Sequence, residues 1–194
     1  MKVIAFNGSP RSNGNTNQLI EIVLDQLRQE DIQTELIQLG QKPIQGCIAC
    51  NKCKEIQNQH CIINNDPINK WIDKMMEADG IILGSPTYCC NLTSNLKSLI
   101  DRVGYVTKQN GNDMLKHKVG AAIVAVRRCG AAHVFSSINY FFLIHHMIIP
   151  GSSYWNQGIG MVPGDVESDE EGIQTMIDLG KNMVWLLQKL NNEQ

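Results

Sequence analysis

The sequence lacks an excess of basic residues. Seventeen lysine and arginine residues stand against nineteen aspartate and glutamate residues, which gives a formal net charge of -2. Because nucleic-acid-binding domains normally present a clustered basic surface, this charge balance gives no indication of a nucleic-acid partner.

Long hydrophobic runs are also missing. The longest apolar run of the C-terminal half, residues 141–150, contains His145 and His146 and is too short and too polar to cross a bilayer. Met1 and Lys2 lead directly into a strand-like segment, without the apolar stretch and cleavage site of a signal peptide. We therefore expect no membrane partner and a cytoplasmic location. In that compartment the seven cysteines are more typical of metal ligands, redox groups or core residues than of disulfides.

The chain has no internal repeat or low-complexity stretch, and its 194 residues fit a single domain over residues 1–194. Apolar segments of strand length alternate with segments whose apolar residues recur at helical spacing. The predicted strands are 3–6, 34–39, 80–84, 119–126 and a fifth that begins at 147–149. The predicted helices span about 19–27, 66–77, 92–103, 132–145 and 168–190, with a polar excursion at 104–117.

This alternation predicts an α/β fold. We expect a doubly wound, flavodoxin-like sheet of five parallel strands in the order 2-1-3-4-5, covered by helices on both faces in three αβα layers. Ligands of such sheets bind outside the carboxyl ends of the strands, where the strand order reverses. Loops 7–16, 85–91 and 127–133 follow the first, third and fourth strands, so they should converge on one binding site.

The first of these loops, Asn-Gly-Ser-Pro-Arg-Ser-Asn-Gly-Asn-Thr at 7–16, is typical of a site for a mononucleotide phosphate. It is not a Walker A loop, because five residues separate Gly8 from Gly14 and Asn15 stands at the lysine position. It also lacks the Gly-x-Gly-x-x-Gly fingerprint of dinucleotide-binding proteins. Hydroxyl, amide and guanidinium groups and a helix N-terminus remain available for one phosphate, with an ordinary polar loop as the alternative. The candidate ligands are Ser9, Arg11, Ser12, Asn13, Asn15 and Thr16.

Several motifs together resemble one family. They are Gly8-Ser-Pro-Arg11, Gly14-Asn-Thr16 and Gly84-Ser-Pro-Thr-Tyr88, followed by Leu96-Lys97 and Asp101-Arg102. These segments resemble the NADPH-dependent FMN reductase and multimeric flavodoxin superfamily over most of the chain. The resemblance implies that the first loop holds the FMN phosphate, the second lies along the isoalloxazine ring and the third closes the other side of the ring. It also implies a homodimer or homotetramer.

The resemblance assigns flavin contacts to the second and third loops. They are Pro86, Thr87, Tyr88, Cys89, Cys90 and Asn91, and then Arg127, Arg128 and Gly130. The sequence departs from the family at Cys89-Cys90, where an aromatic residue followed by glycine is frequent. Either arginine can stabilise negative charge near N1 and C2=O of reduced flavin, the alternative being a solvated loop end. Cys129 fits a position near the flavin or a small buried residue, and His133 fits a polar helix start better than a catalytic acid.

Four cysteines interrupt the α/β rhythm in an insertion at about 41–64. Their spacing is Cys47-x2-Cys50-x2-Cys53-x7-Cys61. Three cysteines at two-residue gaps can wrap thiolates around one centre, and a fourth completes the ligands of a [4Fe–4S] cluster. The segment also resembles the motif of the iron–sulfur flavoprotein branch of the family. A tetrahedral zinc site, with His60 as a substitute ligand, and a metal-free segment are the alternatives.

These patterns predict an FMN-dependent oxidoreductase or electron-transfer flavoprotein. The electron donor would be NAD(P)H or a redox protein, and the acceptor a quinone, an oxygen species, an azo or nitro compound, or another redox protein. The sequence shows no general acid/base pair, so the chemistry would be that of the flavin itself. The alternatives are a non-enzymatic, flavodoxin-like electron carrier and a plain NAD(P)H:FMN reductase with a metal-free cysteine segment. A metal-binding regulatory module would explain the cysteines but not the converging loops.

Overall fold

A five-stranded sheet organises the computed structural model, which describes residues 1–40 and 42–191. Its strands are β1 (Lys2–Asn7), β2 (Gln33–Gln38), β3 (Gly80–Pro86), β4 (Val119–Val126) and β5 (Gln157–Ile159). All neighbouring strands are parallel, in the order β2-β1-β3-β4-β5. The predicted sheet order is therefore confirmed. The prediction of one domain over 1–194 stays a prediction, and residues 41 and 192–194, including the first residue of the predicted insertion, lie outside the described residues.

The helices cover both faces of the sheet. They are α1 (Asn15–Arg28), α2 (Lys52–Ile56), α3 (Ile68–Glu77), α4 (Ser94–Gln109), α5 (Ala131–Ile144) and α6 (Glu170–Asn191). A 3₁₀ turn, Asp165–Ser168, precedes α6. In the part of the chain described, every helix is too short or too polar to pass through a bilayer.

Alternating side chains of β1 divide the core into two layers. Val3 and Ala5 pack with the buried residues of α1 and α6, whereas Ile4 and Phe6 pack with those of α3, α4 and α5. All four side chains are fully buried. This burial on both faces is typical of a central parallel strand and accounts for its continuous apolar sequence.

The fifth strand begins at Gln157, so the prediction of a strand at 147–149 is wrong. Ile148 forms only an isolated bridge with β4. Its N–H donates to the Lys118 carbonyl at 2.9 Å, and its carbonyl accepts from Gly120 N–H at 2.9 Å. Pro150 then lacks the N–H that would continue the ladder, and the chain leaves the sheet until Gln157.

Two other elements differ from the sequence prediction. Helix α4 continues to Gln109, so the first part of the predicted excursion 104–117 is helical. Val106 and Thr107 are buried and extend the apolar face of that helix, which explains its greater length. The cysteine insertion contains the short helix α2, which was not predicted from the sequence.

Candidate functional site

Hydrogen bonds join the loops at the carboxyl ends of β1, β3 and β4. Gly8 N–H donates to the Gly84 carbonyl at 2.8 Å. The Thr93 hydroxyl, at the start of α4, donates to the Gly8 carbonyl at 2.8 Å. Thr87 N–H donates to the Ala125 carbonyl at 2.8 Å. Gly130 of the third loop lies against the second loop, since a Cβ added there would be 3.0 Å from Cys90 Sγ. The predicted convergence of loops 7–16, 85–91 and 127–133 is thus present, and these three loops are called the loop edge below.

The first loop is fixed from the ends of β1 and β2. The buried Ser9 donates its N–H to Asn7 Oδ1 at 3.0 Å and accepts the Arg11 N–H on its hydroxyl at 3.1 Å. Gln38 donates to the Ser9 carbonyl and accepts from Asn7 Nδ2 at 2.7 Å. Asn7 and Gln38 were not predicted from the sequence as positioning residues. A polar residue that closes a buried strand was the available signal for Asn7, whereas nothing in the sequence distinguished Gln38.

The first turn of α1 offers a set of free donors. Within the described residues, the backbone N–H groups of residues 12–17 have no acceptor on the protein. Gly14 is the N-cap residue, Thr16 is buried, and Arg11, Ser12 and Asn13 are exposed around them. Uncapped N–H groups at a positive helix end beside a guanidinium fit a terminal phosphate.

Asn15 is partly engaged by another segment. Its Oδ1 accepts the Gly164 N–H at 2.9 Å, which ties the turn before α6 to the start of α1. Only the amide NH2 of Asn15 is therefore left for a phosphate. The contribution of this turn was not predicted, because it comes from a residue far along the chain.

The second loop contains a tight turn built from two cysteines. Tyr88 N–H donates to the Asn91 carbonyl at 2.8 Å, and Asn91 N–H donates back to Tyr88 at 2.9 Å. Cys89 and Cys90 occupy the centre with φ angles of 48° and 58°. Two left-handed residues define a type I′ turn, which normally takes asparagine and glycine. Left-handed cysteines cost about 1–2 kcal/mol each, and such strain is concentrated at functional sites.

An unsatisfied hydroxyl also lies in the second loop. Among the described residues, Thr87 Oγ1 is buried without a hydrogen-bond partner. Buried polar atoms are nearly always paired, so this oxygen fits a group that a bound ligand would supply.

The third loop packs directly on the second. Gly130 has a φ of +93°, and a Cβ at this position would lie 3.0 Å from Cys90 Sγ and 3.1 Å from Thr87 Cγ2. Arg127, Arg128, Cys129 and His133 are exposed. The alternative of a buried Cys129 is therefore wrong, whereas the exposed arginines fit both interpretations given for them.

The four cysteines of the insertion line one pocket. Cys53 on α2 is buried, Cys61 is half-buried, and Cys47 and Cys50 are exposed. Burial, together with the neighbouring Cys61 and Cys47 thiols, raises the pKa of Cys53. Arg102 of α4 completes the inner wall.

The donor set of this pocket fits a four-thiolate group, although the thiols do not converge. Across residues 1–40 and 42–191, no three Cys, His, Asp or Glu side chains are close enough together to hold a metal ion. The free volume of the pocket is about 10 Å³, the space of a single water, so a cluster requires the segment to rearrange. His60 lies outside the pocket, with Nε2 at 2.7 Å from Asp73 Oδ1.

Comparison with protein families gives the loop edge a chemical context. The sequence profile of the family described as NADPH-dependent FMN reductase matches residues 1–160. The chain belongs to this family. As a member of the NADPH-dependent FMN reductase family, it is an FMN-dependent oxidoreductase.

Individual relatives agree with this assignment. An iron-sulfur flavoprotein of Methanocaldococcus jannaschii is 40% identical over 195 residues, covering 94% of this chain and 95% of the relative. An iron-sulfur flavoprotein of Methanosarcina thermophila is 32% identical over 190 residues, covering 97% and 96%. Among solved structures, a flavodoxin from the domain Archaea superposes with a TM-score of 0.63 at 15% identity, covering 97% of this chain and 99% of that one. That likeness shows the fold, which is flavodoxin-like.

Membership of the FMN reductase family explains the free groups of the loop edge. The donors of residues 12–17 and the Thr87 hydroxyl are the features that a flavin mononucleotide would satisfy. The contacts of the individual predicted residues with FMN stay predictions. Thr93, the residue directly before α4, was not predicted to support the site. A threonine at this position normally caps its own helix, but here its hydroxyl donates to the first loop.

Proposed function

We propose that this FMN-dependent oxidoreductase is of the iron–sulfur flavoprotein type. It would pass electrons from NAD(P)H or a redox protein to a quinone, an oxygen species or another acceptor. The observation that carries the proposal is the connection between the loop edge and the cysteine pocket through one helix. Thr93 bonds the first loop at the start of α4, and Arg102 and Tyr105 of the same helix line the cysteine pocket. Nine residues of helix correspond to about 14 Å along its axis.

The cysteine segment also begins at the loop edge. Leu39 N–H donates to the Asn7 carbonyl at 3.0 Å, directly beside the first loop. Asn95 of α4 then donates to the carbonyls of Leu39 at 2.9 Å and Lys42 at 3.0 Å. The two candidate redox sites thus share a hydrogen-bonded frame, which supports a function in which electrons move between them.

The loop edge supports FMN as the flavin. One set of free N–H groups, with Arg11 and the buried Thr16 beside it, suits one terminal phosphate, and the sequence has no dinucleotide fingerprint for FAD. FMN, when bound, exchanges one or two electrons. The protein would hold the phosphate at residues 9–16 and enclose the ring with residues 86–91 and 127–130, where an exposed Arg127 or Arg128 offers positive charge to the reduced ring.

We further propose that Cys47, Cys50, Cys53 and Cys61 bind a [4Fe–4S] cluster. Four thiols are the number that this cluster needs, and all four line one surface pocket. Two relatives that cover nearly the whole chain are named iron-sulfur flavoproteins. The compact triplet and the position of His60 against Asp73 favour this cluster over zinc. When bound, the cluster supplies single-electron transfer.

Assembly and location are further parts of the proposal. Exposed apolar side chains on α5 and the following loop support a homodimer or homotetramer; they are Tyr140, Leu143, Ile144, Tyr154 and Trp155. All seven cysteines are free thiols, which supports a reducing, cytoplasmic environment.

Anaerobic purification and reconstitution test the proposal. We expect FMN, not FAD, in the extract, and about four iron and four sulfide per chain. Cys50→Ser should abolish the iron, whereas Cys129→Ser, which changes an exposed thiol outside the segment, should keep it. Steady-state oxidation of NAD(P)H separates the enzyme from the alternative of a non-enzymatic carrier. Wild-type protein that takes up FMN but no iron would leave a plain flavin reductase.

A further inference from the structure

One buried cation lines the inner wall of the pocket that contains the four cysteines. Arg102 lies in the middle of α4, is 1% exposed and lines the cysteine pocket. Its Nη1 pairs with the Asp66 carboxylate and donates to the Gln45 carbonyl at 3.3 Å, and its Nη2 donates to the Ile63 carbonyl at 2.7 Å. A guanidinium stays charged in proteins, so the inner wall of the pocket carries a cation, whose counter-ion Asp66 does not line the pocket.

The acceptors of Arg102 lie on either side of the cysteines. Gln45 precedes Cys47 by two residues, and Ile63 follows Cys61 by two residues. A single side chain therefore holds both ends of the segment that carries all four thiols. Because both acceptors are backbone carbonyls, this connection depends on the path of the chain and not on the side chains at those positions.

One donor of the guanidinium remains unused. Within the described residues, Arg102 Nε is buried and has no hydrogen-bond partner. Leaving a buried donor unpaired is unfavourable, and native structures seldom do so without a reason. The side chain with this free donor lines the same pocket as the thiols.

We propose that Arg102 is a positioning residue of the cysteine pocket, which holds the two ends of the segment together and stabilises the reduced form of the group bound by the four thiolates. The inference rests on the proposed cluster. Each one-electron reduction adds one negative charge to such a group, and a nearby buried cation favours the more negative form. Hydrogen bonds and charge near the sulfur atoms are among the factors that set cluster potentials.

Variants of the ion pair test the electrostatic part. Arg102→Met alone would leave a buried, unpaired Asp66, so the principal variant is Arg102→Met/Asp66→Asn, which is neutral and keeps the side-chain oxygen that accepts the Ile68 N–H at 3.2 Å. Lys97→Met is the matched control, because it removes one cation from the exposed side of the same helix.

The first readout is the reduction potential of the reconstituted proteins, after iron and sulfide have been counted. We expect the double variant to lower the equilibrium constant of one-electron reduction at least tenfold, which is a shift of 59 mV toward negative potential. Lys97→Met should leave the potential unchanged. Arg102→Lys, which keeps the charge without the planar fork, should stay closer to wild type than the double variant.

The second readout uses the protein before iron is added. Amide hydrogen exchange over residues 45–63 should be faster in the double variant and in Arg102→Lys than in wild type or Lys97→Met, while exchange in β1 and β3 stays the same. A double variant that retains FMN but takes up no iron would also support the holding role.

The outcomes separate this inference from the proposed function. Wild-type protein that incorporates no iron under anaerobic conditions would overturn the cluster and this inference with it. A loaded wild type and a loaded double variant with equal potentials would overturn the inference about Arg102 alone, as would unchanged hydrogen exchange over residues 45–63.

Discussion

Gly130 offers a sharp test of how the second and third loops form one site. Its φ of +93° is in the left-handed region, and a Cβ there would meet Cys90 Sγ at 3.0 Å, Cys90 Cα at 3.1 Å and Thr87 Cγ2 at 3.1 Å. Gly111 has nearly the same backbone angle, +94°, but a Cβ there would meet nothing within 4 Å. The pair separates backbone strain from the contact between the loops.

The expected magnitudes follow from these two environments. Alanine at either glycine carries the left-handed strain, about 1–2 kcal/mol. At Gly130 the new methyl group must also displace the backbone of Cys90, and overpacking of this kind costs about 1–3 kcal/mol more. Gly130→Ala should therefore lower the free energy of unfolding by about 2–5 kcal/mol, and Gly111→Ala by about 1–2 kcal/mol.

The assay combines urea unfolding with FMN binding. Both variants should lose stability, but only Gly130→Ala should also weaken FMN binding, because only this change separates the two loops that we propose enclose the ring. Equal losses of stability in the two variants, or unaltered FMN affinity in Gly130→Ala, would show that the contact between the loops does not shape the site.

Three further predictions concern other parts of the molecule. Burial lowers the pKa of His145 in the folded protein to about 4 from its ordinary value of 6.5. As the pH falls below 6.5, His145 therefore takes up a proton in the unfolded chain before it does so in the folded protein. Stability should decrease by about 2 kcal/mol between pH 7.5 and pH 5, and His145→Gln should flatten this dependence in urea unfolding measured at both pH values. Replacement of Arg11 and Thr16 by alanine should weaken FMN retention measured by fluorescence titration, and unchanged affinity would remove the phosphate-loop assignment. Thr93→Val removes the hydroxyl that donates to the Gly8 carbonyl. This change should lower the free energy of unfolding by about 1–3 kcal/mol and should also weaken FMN binding. Unchanged stability and unchanged FMN affinity would contradict the role of Thr93 in linking α4 to the first loop.

Much of the fold was predictable because its signals are local. Parallel strands buried on both faces appear as continuous apolar runs, and the strand order follows from their alternation with helices. The fifth strand was misplaced because residues 147–149 are equally apolar but form only one bridge before Pro150. Periodicity cannot distinguish a bridge from a strand, because both present apolar side chains to the core.

The positions of the site loops were predictable, whereas their supports were not. The loops follow from the strand ends, and the spacing of the cysteines identified their segment. Gln38, Thr93 and Arg102 act through carbonyls distant in sequence, at Ser9, Gly8 and Ile63. Every residue has a backbone carbonyl, so the sequence does not indicate which carbonyls accept these hydrogen bonds. Only the folded chain shows which side chains reach them.

The way Arg102 is anchored restricts how this protein can evolve. Its partners at Gln45 and Ile63 are backbone carbonyls, which any residue at those positions provides. Single substitutions can therefore remove the cysteines one by one, whereas deletion of the segment joins Gln45 directly to Ile63 and disturbs the two carbonyls that accept from the buried guanidinium. Loss of the proposed cluster would then precede loss of the loop. Thermal melting can check this asymmetry: replacement of all four cysteines by serine should leave a folded FMN-binding protein, and removal of residues 46–62 should not.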